Sequence, residues 1–164
     1  MTGKSFSLQI AAFIAKTKAN QDLAVRAILM KIDGRLVQRS PVGDGSYWQH
    51  PPPKGYSGGR FRGNWQLSIG SPASGPVDLV DKTGSATLAA HAGTIGTAKA
   101  GQTFFLVNNL PYAKRIEEGW SRQAPVGLVA LTVVEFRTIV DDAVNGIRAG
   151  TSAQDFSQGF STYS

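Results

Sequence analysis

Residues 5–39 read SFSLQIAAFIAKTKANQDLAVRAILMKIDGRLVQR, and the period of the apolar positions in this stretch decides the fold. Phe6, Ile10, Phe13, Ile14, Thr17, Gln21, Val25, Ile28, Ile32 and Leu36 recur at spacings of three and four, which stacks side chains on one face of an α-helix. Lys16, Lys18, Asp22, Arg26, Asp33 and Arg39 fall largely off that stripe. An unbroken helix here would run about 52 Å, whereas a globule of this chain length is about 40 Å across. The helix therefore projects beyond the body or breaks. Asn20, a good N-cap before Gln21-Asp22-Leu23, is the favoured break. Ser40-Pro41 ends the helix, because a residue preceding proline is pushed out of the helical region.

Working outward, residues 40–63 form a long loop with four prolines and six glycines, and Tyr47, Trp48, Tyr56 and Phe61 are expected to dock it. Asn64–Gly70 alternates, with Trp65, Leu67 and Ile69 on one face, and is predicted as a strand. Residues 77–81 are predicted as a second short strand. A loose helix is expected around Ser85–Gly93, a buried strand over Thr103–Asn108, and a short helix over Leu110–Glu118 with Pro111 in its first turn. Residues 126–148 carry a clean helical stripe through Val129, Val133, Phe136, Val140, Ala143, Val144 and Ile147, with Pro125 before it and Gly150 after. The fold class is α+β: a long N-terminal helix, a small mostly antiparallel sheet, and a long C-terminal helix packed on that sheet. One domain spans residues 1–150. Residues 151–164 form a flexible or partner-docking tail, with Phe156, Phe160 and Tyr163 spaced to share one helical face.

Composition narrows the chemistry. The 164 residues include no cysteine and two histidines, His50 and His91. This excludes disulfides, thiolate metal sites and thiol nucleophiles, and leaves little for a metal cluster. No run approaches the ~20 apolar residues of a membrane span, so a soluble protein made in the cytoplasm is expected. Residues 1–62 hold ten Lys/Arg against three Asp, a balance of +7, whereas the remainder balances at −1. A basic half suggests an anionic partner or a complementary subunit face.

Individual motifs give no catalytic constellation. Gly3-Lys4-Ser5 lacks the upstream glycine and strand of a phosphate-binding loop. His91 could be combined with many serines, but no G-x-S-x-G elbow accompanies it, and its Ala/Gly-rich context marks a surface residue. Glu117 and Glu118 are adjacent on a short helix and point apart, so a solvated or interface role is expected rather than acid–base catalysis. Lys54 to Trp65 alternates basic and aromatic side chains on a glycine-rich backbone, as single-strand nucleic-acid binders do.

Several blocks together resemble the tail-completion or neck proteins of long-tailed bacteriophages. They are Arg39-Ser40-Pro41-Val42; Gly59-Arg60-Phe61-Arg62-Gly63-Asn64-Trp65-Gln66; Val107-Asn108-Asn109-Leu110-Pro111-Tyr112-Ala113; Ile116-Glu117-Glu118-Gly119; Ser121 to Gly127; and Val134-Glu135-Phe136. They occur in family order across roughly residues 5–140. Pro41-Val42-Gly43-Asp44-Gly45 departs from the family's Pro-Val-Asp-Thr-Gly, and residues 46–58 look like an insertion. The resemblance implies a non-enzymatic structural virion protein without cofactors, located at the head–tail junction. It would complete the neck or tail end through ring-to-ring contacts. Its partners would be copies of itself, with a hexamer expected, and neighbouring neck, connector or tail-tube and terminator proteins. Non-specific contact with packaged DNA is a further expectation, and no membrane is involved. The alternatives are a head-closure or tail-terminator protein, or a nucleic-acid-binding module using residues 54–65. Partner-binding residues are expected among Lys54, Arg60, Phe61, Arg62, Trp65, Tyr112, Glu117, Glu118, Trp120 and Arg122, with Phe156, Phe160 and Tyr163 in the tail. Asn108 and Asn109 are expected to turn the chain through left-handed geometry, with Trp65 and Tyr112 packing that turn.

Overall fold

A computed structural model describes residues 6–44, 54 and 57–150. Helix α1 runs without interruption from Phe6 to Arg39. The expected break at Asn20 does not occur. From Asp22 onward α1 is packed on the body, and a formed helix propagates at little cost per added residue, so a single asparagine does not stop it. Residues 7–21 are all exposed, whereas Ala27, Leu36 and Val37 are buried. The helix therefore projects.

The loop after α1 closes into a short helix, α2 (Arg60–Gly63), which leads into β1 (Trp65–Ile69). Antiparallel β2 (Phe104–Asn108) pairs with β1, Trp65 opposite Asn108 and Ile69 opposite Phe104. A two-stranded ribbon is marginal alone. Here α3 (Ser85–Thr97) packs on β1 and α1. Helix α3 is longer than the loose helix expected, and β2 is only half-buried.

Residues 77–81 form no strand and pair with none among the described residues. The Asn64 side chain holds this segment instead: its Oδ1 accepts from Val77 N at 2.9 Å and its Nδ2 donates to Arg60 O at 2.8 Å. The C-terminal region also departs from expectation. The single long helix over 126–148 is two helices, α5 (Val129–Val134) and α6 (Phe136–Arg148), after a five-residue α4 (Ala113–Glu117). They meet at Glu135, whose ψ of −6° opens the helical turn. The helix on the sheet is α3, not the C-terminal one. Helix α6 runs antiparallel along α1, with Glu135 beside Arg35 and Arg39 and Asp142 beside Lys31.

The core gathers where these elements meet. Leu36 and Val37 of α1, Phe61, Trp65, Leu110 and Leu128 form its buried centre. Phe61 stands edge-on to Trp65 at 6.0 Å and tilted to Tyr112 at 6.3 Å, so one ring stack ties α2, β1 and the turn after β2.

Candidate functional site

The packed half of α1 carries a polar frame around that core. Asp33 lies on its α3 side. Its Oδ1 is 2.9 Å from His91 Nδ1, and His91 Nε2 is 3.0 Å from the carbonyl of Trp65. Both residues are buried, so His91 is not the surface residue its local sequence suggests. Nε2 faces a carbonyl rather than a hydroxyl, so this pair does not activate a serine. Trp65 Nε1 donates to Ser40 Oγ at 2.7 Å, and Ser40 Oγ donates to Leu36 O at 2.6 Å.

Glu135 lies on the other side of α1. Arg35 and Arg39, one helical turn apart, both grip it: Arg35 Nε donates to Oε2 at 2.8 Å, and Arg39 donates to Oε1 and Oε2 at 2.9 and 3.0 Å. Hydrogen bonding from Arg39 is the main reason its carboxyl stays below the usual carboxylate range; partial burial opposes this and Arg35 adds to it.

Glu117 caps α5 from outside the helix. Its carboxylate accepts from the backbone N–H groups of Leu128, Val129 and Ala130 at 2.8, 2.9 and 2.8 Å. Burial pushes its carboxyl up, but these three donors outweigh it and hold the group below its ordinary value. Gly127 makes the approach possible: its φ is +77°, and a Cβ there would lie 2.6 Å from Glu117 Oε1. Asp81 caps α3 in the same way. Its carboxylate accepts from the N–H of Thr83, Gly84 and Thr87 and from the Thr87 hydroxyl. Burial again pushes the carboxyl up, and the bonds from Thr87, Gly84 and Thr83 hold it low.

Arg62 is committed internally as well. Its guanidinium donates to the carbonyls of Lys82, Gln38 and Ser40 at 2.6, 2.8 and 2.8 Å. Burial lowers its pKa, and the charge of Asp81 opposes that shift. Gly59, with φ +105°, lets this turn lie against Asp81, whose carbonyl carbon would be 2.7 Å from a Cβ.

The residues expected to bind partners thus divide. Phe61 and Trp65 are core, Arg62 is a clamp and Glu117 is a cap. None of these four offers a free group at the surface. Lys54, Arg60, Tyr112, Glu118, Trp120 and Arg122 are exposed. Arg60 stands 3.5 Å from Asp78, and Glu118 3.7 Å from Lys114. Trp120 is 73% exposed, with the Arg115 guanidinium 5.4 Å above its ring. Phe156, Phe160 and Tyr163, with Tyr47, Trp48, His50 and Tyr56, lie outside the described residues. Asn108 and Asn109 do not turn the chain through left-handed geometry, since no described non-glycine residue has positive φ. Their amides donate to Phe61 O and Ala73 O at 2.8 and 2.9 Å, stitching the strand end to the loops beside it.

Sequence reasoning missed Asp33, His91 and Asp81, and the role of Glu135. Asp81-Lys-Thr-Gly-Ser carries the one local signal, an acid followed by Thr and Gly at the start of a helix. Among the described residues, no group of three or more His, Cys, Asp or Glu could hold a metal ion, and no helix is long and apolar enough to cross a membrane. No protein-family model, curated protein or solved structure matches the chain.

Proposed function

We propose that this chain is a structural virion protein of a long-tailed bacteriophage, completing the neck or tail end and joining head to tail by protein–protein contacts in a ring. One observation carries the reading: the separate blocks that resemble the family come together as one connected frame. Arg39 meets Glu135, Ser40 meets Trp65, and Val42 N meets Gln123 Oε1 at 2.9 Å. Asn108 meets Phe61, and Glu117 meets the turn after Gly127. Blocks that resemble the family in order along the sequence thus adjoin one another in this chain, which supports reading them as parts of one scaffold. A head-closure or tail-terminator role at the same junction would use the same scaffold.

The nucleic-acid reading is weakened. Stacking needs exposed rings, and Phe61 and Trp65 are 6% and 5% exposed. Arg60 and Lys54 are exposed, Arg60 in an exposed pair with Asp78, which fits non-specific DNA contact at most. Disrupting the gene in the phage or prophage that carries it tests the proposal. Separate full heads and tails should accumulate, visible by electron microscopy. Normal joined particles would refute it.

A further inference from the structure

The two-stranded ribbon leaves one of its edges open. Gly70 N donates to Thr103 O at 2.9 Å, and these two residues stand directly opposite in the register that pairs Ile69 with Phe104. Antiparallel pairs alternate between those that exchange hydrogen bonds and those that do not. Ser68 with Phe105 and Gln66 with Val107 are therefore the bonded pairs. The backbone N–H and C=O groups of Phe104, Leu106 and Asn108 on β2 point away from the ribbon, as do those of Trp65, Leu67 and Ile69 on β1. The β1 edge is taken at one end, where His91 Nε2 meets the Trp65 carbonyl at 3.0 Å and α3 packs on the strand. On the β2 edge, no hydrogen bond among the described residues reaches the backbone of Phe104, Leu106 or Asn108. Strand β1 is the one partner of β2 there, and all five β2 residues stay half-exposed.

The composition leaves this edge unguarded. No residue from Ala100 to Ala113 is charged. Natural edge strands are kept from pairing by a lysine, a proline or a bulge. Residues 104–108 contain neither lysine nor proline, and their register with β1 runs through without a bulge.

We propose that the outer edge of β2 takes an extended, uncharged segment of a neighbouring protein as a third strand. The complementarity lies in the backbone, because a row of alternating N–H and C=O groups is matched by another extended chain. The side chains set what that chain is made of. Leu106 packs against the core, with Phe104 on the same face, and Phe105 and Val107 lie on the opposite face. A third strand therefore runs beside apolar side chains on both faces, and a charge in its middle would be desolvated without a partner. A second copy of β2 fits less well. Five residues span about 17 Å, and two rigid bodies touching along so short an edge bury far less than the ~1,200 Å² of the smallest standard interfaces. A free segment follows the twist of the edge and covers both faces. The contact does not depend on the virion reading.

Hydrogen exchange of the full chain, read residue by residue by nuclear magnetic resonance, tests it. The probe is a short synthetic peptide of alternating threonine and valine with lysine at each end. In the protein alone, the Phe104 and Leu106 amides should exchange at least about tenfold faster than those of Phe105 and Val107. With the peptide in millimolar excess they should slow about tenfold, and Leu67 and Ile69 should not change. The same peptide methylated on all its central backbone nitrogens should have no effect. The inference is overturned if Phe104 and Leu106 are already as protected as Phe105 and Val107 in the monomer. It is also overturned if protection rises with protein concentration instead of peptide, which would mean self-pairing. A methylated peptide that acts equally well, or a plain peptide that leaves both amides unchanged, overturns it too.

Discussion

Asp33 and His91, 58 positions apart, meet at 2.9 Å inside the protein. The other ring nitrogen of His91 faces the Trp65 carbonyl. Both ring nitrogens thus face oxygen atoms, one of a side chain and one of the backbone. The pair locks α1, α3 and β1 into one body.

Removing one member leaves the other buried without its partner. His91→Leu should therefore cost about 3–5 kcal/mol, whereas the double change Asp33→Leu/His91→Leu should cost markedly less than twice that. Urea unfolding of the single and double variants measures it. Additive losses would mean that the pair is not coupled.

Acid should loosen the frame before it unfolds the whole. The carboxyls of Glu135, Glu117 and Asp81 are all held below their ordinary values. The unfolded chain then binds more protons than the folded one, so stability is full above the ordinary carboxylate range near pH ~4 and falls as pH drops through the lowered values. Glu117→Gln should flatten that fall and cost about 1–2 kcal/mol at neutral pH, through loss of the charged cap on α5. Denaturant midpoints from pH 7 downward give both. A fall of unchanged steepness in the variant would remove Glu117 from the acid response.

Arg60 and Arg62 are two residues apart and should behave as opposites. Arg62→Ala strands three carbonyls and should cost about 2–3 kcal/mol. Arg60→Glu touches only an exposed pair and should change stability by about 0.5 kcal/mol or less. The Arg60 variant is thus the one that tests electrostatic docking, with head–tail joining as its readout. Equal thermal shifts in the two variants would contradict this division.

The main helix was legible in the sequence because its stripe keeps one period from residue 6 to residue 36, and the two strands because Trp65–Ile69 and Phe104–Asn108 are short apolar runs between turns. The rest failed where tertiary partners override local preference. Nothing around Asn20 shows that the packed half of α1 will carry the helix through it. Glu135 is a good helix former, yet it marks the break between α5 and α6 where two arginines about 100 positions upstream hold its side chain. Sequence predicts a short strand over residues 77–81, but Asn64 takes the backbone N–H of Val77 that a strand partner would have used. His91 gave no sign of burial because its partner lies on another helix. For the candidate site, the sequence reading mistook scaffold for surface: Phe61, Arg62, Trp65 and Glu117 are spent inside.

Deleting residues 1–19 should leave a folded monomer, because α1 makes its body contacts from Asp22 onward. The full chain should sediment as a monomer or weak oligomer and assemble fully only with its neighbours. The truncated chain should not assemble at all. A truncated chain that still restores head–tail joining would remove the projecting helix from the assembly.

The most direct test is mass spectrometry of purified, joined particles from the phage or prophage that encodes this chain. The expected result is peptides from this protein in complete virions at a fixed ratio to the tail proteins. Finding it abundantly in infected cells, but never in the particles, would contradict the structural role.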